Sequence, residues 1–131
     1  MRLAYAFFAR AAELTGTGFS ALNADFDQIG VPQVPTSTPP ISLVVKLWFG
    51  TTELGQHNIC VDFAPVRTGE YIAVAQGFLA VPPNPHNQQQ ESGAGFVMNL
   101  SLPINELGAH LLRLFVDGRE LTRIPLIASQ G

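Results

Sequence analysis

The 131 residues carry 7 Lys and Arg against 10 Asp and Glu, a net charge of −3. With Lys46 the single lysine, no basic stripe exists to neutralise phosphates, and nucleic acid is set aside as a partner. Hydrophobic residues make up 47% and charged ones 13%, about half the usual charged share, which leaves a surface suited to contact with other protein.

Taken in order, residues 2–14 are ambiguous. Leu3, Phe7, Arg10 and Leu14 fall at helical spacing in an Ala-rich segment, while Leu3, Tyr5 and Phe7 also alternate with Ala4 and Ala6 as a strand would. The local pattern leans to helix. The apolar run stops at Arg10, lacks a small-residue cleavage site and is too short to span a bilayer, so no membrane insertion and a cytoplasmic location are expected. Thr15 to Gly18 form a tight turn, and Phe19 to Ile29 alternate as a half-buried strand. If that strand pairs with what precedes it, the first segment must be extended too.

Residues 30–40, GVPQVPTSTPP, hold four prolines and form an extended connection between sheets. Ile41 to Phe49 make the best central strand, with Ile41, Leu43, Val45, Leu47 and Phe49 on one face and Ser42, Val44, Lys46 and Trp48 on the other. After a turn at 50–55, Ile59, Val61 and Phe63 alternate against Asn58, Cys60 and Asp62 in a strand that ends at Pro65. Cys60 is the single cysteine, which excludes an intramolecular disulfide and a cysteine zinc cage.

Tyr71 to Val81 read as a strand bent at Gly77. Residues 82–95 read as a long polar loop, and Phe96 to Leu102 as a strand with Phe96, Met98, Leu100 and Leu102 inside. Residues 103–109 connect to the clearest element, the hairpin Leu111 to Ile127, built on the two-residue turn Asp117-Gly118. Counting out from the turn pairs Val116 with Arg119, Leu114 with Leu121 and Leu112 with Arg123 on the core face, and Phe115 with Glu120 and Arg113 with Thr122 outside. Ser129 to Gly131 are expected to fray. The total of about eight short strands predicts a single all-β domain over 1–131, an antiparallel β-sandwich.

Several stretches together resemble a small bacterial family of single-domain proteins known only as a domain of unknown function. They are the Tyr5-Ala6 opening, the Thr17 to Ile29 strand with Asp25-Phe26-Asp27, the VPQVP connection into Leu47-Trp48-Phe49, FVMNLSLP from Phe96, and LRLFVDGRELTRIPL from Leu112. The resemblance implies an all-β fold and makes the first segment a strand. It brings no active-site residue with it.

No catalytic or metal motif stands out. Asp25 and Asp27 point to one side of a strand, as two calcium ligands could, with Asp62 or Glu53 as candidates to join them, but calcium takes six to eight oxygens and no EF-hand loop is present. The pair therefore reads as a solvated outer face at the end of a strand. His57, His86 and His110 lack metal-ligand spacing and read as exposed loop or strand-edge residues. Cys60 and His57 fall on opposite faces, which separates a thiol from its base. Trp48 either forms an outer patch with Val44, as an interface or a sugar-stacking platform, or packs under the 82–95 loop.

The expectation is therefore a non-enzymatic structural or interaction module with no cofactor, acting on a protein partner or on its own copies as a subunit or adaptor of an intracellular assembly. Candidate interface residues are Val44, Trp48, Val97, Asn99 and Ser101, the last three as an uncharged edge row. The alternative is a β-sandwich that binds carbohydrate or calcium.

Overall fold

The computed structural model describes residues 1–16, 18–82 and 91–131. Among them the chain is all-β, with β1 (Arg2–Thr15), β2 (Gly18–Ala24), β3 (Gln28–Val31), β4 (Thr36–Ser37), β5 (Ile41–Phe49), β6 (Gly55–Pro65), β7 (Ile72–Val81), β8 (Ser92–Leu100), β9 (Pro103–Ile104), β10 (Gly108–Val116) and β11 (Arg119–Gln130). A four-stranded sheet in the order β2-β1-β5-β8 faces a five-stranded sheet in the order β3-β11-β10-β6-β7, and β4 pairs with β9. Eleven described strands replace the expected eight, because one predicted strand divides and two-residue ladders add the rest.

The sandwich is held by the alternation that the sequence displays. Leu43, Val45, Leu47 and Phe49 of β5 meet Val61 and Phe63 of β6 and Leu112, Leu114 and Val116 of β10, all at most 1% exposed. β5 also buries its second face at Ser42 and Val44, as befits a strand with neighbours on both sides.

Three sequence readings are corrected here. Residues 2–14 are strand, not helix: β1 pairs with β5 from Arg2 to Ala9 and with β2 from Ala9 to Thr15, and ladder hydrogen bonds outweigh the weak helical preference of a few alanines. The span 19–29 is two strands in different sheets. Positive φ at Asn23 (48°) and Asp25 (61°) ends β2, and β3 then joins β11 in parallel. That parallel pairing also ties down the tail, with Gln130 opposite Val31 and the Gly131 N–H donating to the Val31 carbonyl at 3.1 Å.

The hairpin turn is as read, with φ of 52° at Asp117 and 80° at Gly118. Beyond the first two pairs, however, Leu114 faces Thr122, Arg113 faces Arg123 and Leu112 faces Ile124. One extra residue on β11 forms a bulge. Straight pairing would have turned Arg123 into the core, and the bulge instead brings Ile124, Leu126 and Ala128 inward. In β7 the register shift likewise falls between Ala73 and Ala75, opposite Asp62 and Val61, and not at Gly77, which pairs regularly with Ile59.

Gly118→Val would place a β-branched side chain at positive φ and should cost ~2 kcal/mol. A shift in urea midpoint at unchanged m-value checks this, and a loss under ~0.5 kcal/mol would show that the turn adapts.

Candidate functional site

β2 and β3 form one side of the sandwich, and β7 and β8 form the opposite side. Each ends its sheet, with a hydrogen-bonded neighbour on one side only among the described residues. They lie against each other, since a Cβ on Gly77 would stand 3.8 Å from the Met98 Cε. Neither IAVAQGFLAV nor SGAGFVMNL contains a charged residue or a proline, two of the devices that blunt an edge strand; a third, a bulge, is present in β7 only near its start, at Ala73 to Ala75. Phe78 stands out on β7 at 72% exposed. Of the predicted edge row, Val97 and Asn99 lie on β8 as expected, with Asn99 Oδ1 accepting the Ser42 hydroxyl at 3.0 Å, while Ser101 lies beyond the strand end. The sequence reading missed β7 as an edge, although its uncharged composition was the available signal.

Val44 is withdrawn from the interface. It is fully buried between Phe7 and Val97 because the outer face of the four-stranded sheet is roofed by its own hairpin. Phe19 pairs with Leu14, nine residues beyond Tyr5 and about 30 Å away along a straight strand. Yet the Phe19 ring packs edge-on to Tyr5, centroids 6.2 Å apart, and its Cζ would lie 2.6 Å from a Cβ on Gly95. The β1–β2 hairpin is therefore bent back over β5 and β8.

Trp48 extends that roof. Its ring leaves 2.9 Å for a Cβ on Gly93, and the Arg2 guanidinium and Lys46 ammonium stand 5.5 and 5.0 Å from its centroid. Arg2 in turn donates to Glu91 at 3.1 Å. The ring is engaged with the chain itself, against the residue 93 that the sequence placed in the 82–95 loop. The loop's centre, 83–90, together with His86, lies outside the described residues.

Asp25 and Asp27 are both exposed and sit on the bend between β2 and β3, not on one strand face. Their backbones do the bridging: the Asp25 N–H donates to Phe8 and the Ile127 N–H to the Asp27 carbonyl. Neither proposed companion joins them. Asp62 takes a bidentate pair from Arg113 at 2.8 and 2.5 Å, with the guanidinium 3.6 Å above the Tyr71 ring, and Glu53 accepts from the Gly50 N–H at 2.9 Å. Among the described residues no group of three or more His, Cys, Asp or Glu is placed to hold a metal ion.

Neither described histidine, His57 or His110, is the exposed loop residue expected. His110 lies in β10 at 1% exposed, stacked on Phe63 at 5.2 Å, with Nδ1 2.9 Å from the Gly108 carbonyl and Nε2 buried without a hydrogen-bond partner among the described residues. Even positions of β10 face inward, so His110 follows Leu112 and Leu114 into the core. His57 is half-buried at the start of β6, tilted against Phe49 at 4.6 Å, and held between Asp117 and the Glu53 carbonyl. Cys60 is half-buried on the opposite face of the same strand, as read. A cleft beside Phe63 brings Glu70 near Glu106, whose carboxylate is taken by Arg67 in two 2.8 Å hydrogen bonds.

A family model described as a family of unknown function, DUF6941, matches residues 4–129. The chain belongs to DUF6941. No curated protein matches this DUF6941 chain. Among solved structures it is similar to the Pseudomonas fluorescens alkylpurine DNA glycosylase AlkC bound to DNA containing an abasic site analogue, at 14% identity and a TM-score of 0.41. That likeness covers 79% of this chain and 28% of the glycosylase chain. Among the described residues no helix is long and apolar enough to cross a membrane.

Proposed function

We propose that this DUF6941 chain is a non-enzymatic structural or interaction module, a subunit or adaptor of an intracellular protein assembly, joined to a neighbouring protein by strand addition on the β7–β8 side. One observation carries the reading: two adjacent strands, ten and nine residues long, have a hydrogen-bonded neighbour on one side only among the described residues and hold neither a charge nor a proline. Strand addition draws its affinity from main-chain hydrogen bonds, and the exposed Phe78 beside the β7 edge supplies an apolar anchor. The non-enzymatic part is supported by the state of the histidines, since both His57 ring nitrogens are occupied and His110 is sealed in the core. Carbohydrate or calcium binding draws no comparable support, with Trp48 engaged by Gly93 and two cations and the Asp25/Asp27 pair split across a bend.

The test is native mass by light scattering on protein purified from its own host. A stoichiometric mass above one subunit is expected, reduced by Phe78→Lys on β7 or Asn99→Lys on β8. A one-subunit mass for the wild type, or an unchanged mass in both variants, would overturn the strand-addition reading.

A further inference from the structure

Residues 50–54 carry the chain from the four-stranded sheet to the five-stranded one, and His57 stands where they arrive. Both of its ring nitrogens face acceptors. Nδ1 lies 2.6 Å from Asp117 Oδ2, and Nε2 lies 2.5 Å from the Glu53 carbonyl oxygen. A ring that meets two acceptors needs an N–H on each nitrogen, and only the imidazolium has both. Either neutral tautomer would turn a lone pair towards one of those oxygens.

We propose that protonated His57 is a latch tying the 50–54 connection to the β10–β11 turn, and that loss of its proton releases the connection from that end of the sandwich. The surroundings favour the cation. From the turn comes the Asp117 carboxylate, whose Oδ1 also accepts the Asn58 N–H at 2.8 Å. From the connection comes Glu53, whose carboxylate holds the Gly50 N–H at 2.9 Å and the Met1 amino group at 2.5 Å. β5 contributes the Phe49 ring and β7 the Leu79 opposite His57, neither of them charged. The Asp117 carboxylate thus meets the ring directly, while Glu53 meets it through its backbone carbonyl and keeps its carboxylate on the Met1 amino group and the Gly50 N–H.

The hydrogen bond to Asp117 raises His57 above its ordinary 6.5, against a smaller opposing effect of burial. The same bond and the Asn58 N–H hold Asp117 below 3.8, and the Met1 amino group and the Gly50 N–H hold Glu53 below 4.5. A raised histidine contributes stability that is complete below pH 6.5 and lost as pH rises through its folded value, whereas lowered carboxylates lose theirs as pH falls through their folded values. The latch is closed between those limits and opens on the alkaline side.

The test uses the full chain and two NMR readouts across a pH titration: the His57 ring shifts and the exchange protection factors of the Gly50 and Glu53 amides, both hydrogen-bonded within the connection. The ring should titrate above pH 6.5. Protection should fall about tenfold or more, the equivalent of one pKa unit, as pH crosses that midpoint. In Asp117→Asn the midpoint should drop and the loss of protection should move down with it. Should that variant fail to fold, His57→Gln should give low protection that no longer follows pH. A wild-type midpoint at or below 6.5, or protection factors unchanged across it, would overturn the latch.

Discussion

Phe63→Ala is expected to lower the free energy of unfolding by ~4 kcal/mol, the upper range for emptying a large aromatic from a core. Phe63 is 1% exposed, lies on β6 between its neighbours β10 and β7, and carries the His110 ring in a parallel stack at 5.2 Å. Its loss removes apolar burial and leaves a cavity beside a histidine nitrogen that already lacks a hydrogen-bond partner among the described residues. Against a typical total of ~5–15 kcal/mol, that is between about a quarter and four-fifths of the stability. Urea melts at constant m-value measure it, with Ile72→Ala as the control. Ile72 pairs directly with Phe63 but is 50% exposed, so its truncation should cost under ~1 kcal/mol. Equal losses in the two variants would mean that Phe63 is not a core anchor.

Positions where period-2 alternation meets burial on one side were legible in the sequence. The inward rows of β5, β6 and β10 are as read, because each strand has a single way to bury its apolar set. What was not legible depends on partners far along the chain. The alanines of β1 fit a helix or a strand locally, and the ladder to β5 decides between them. Nothing in TRIPLI announces a bulge, yet without one Arg123 would face the core; the extra residue on β11 is a tertiary solution to a local parity conflict. His110 reads as a loop or strand-edge residue because the hairpin pattern is drawn from Leu111; β10 begins at Gly108, and parity with Leu112 and Leu114 then places the ring inside. The candidate interface divides the same way: the shared strand of Val97 and Asn99 followed from the alternation, while its place at a sheet edge and the burial of Val44 depend on how distant strands pair.

That bend is the basis of the second large effect. Gly95→Val is expected to cost about 3 kcal/mol, at the top of the range for overpacking. A Cβ there would lie 2.6 Å from the Phe19 Cζ and 3.1 Å from the Val45 carbonyl oxygen, so either the ring or the β5–β8 ladder must move. The ring is the softer element, being held by a hairpin tip, and its displacement should uncover Val44 and Ala9, both fully buried now. In a Phe19→Ala background the same substitution loses its closest contact, keeps the Val45 carbonyl, and should cost at least ~1 kcal/mol less, a coupling that a double-mutant cycle measures. Additive losses would mean that the hairpin does not seat on β8. Coupled losses would show the outer face of the four-stranded sheet to be closed by the chain's own residues. The strand-addition reading then rests on the β8 edge beside β7, which among the described residues has a hydrogen-bonded neighbour on one side only and carries no charged residue.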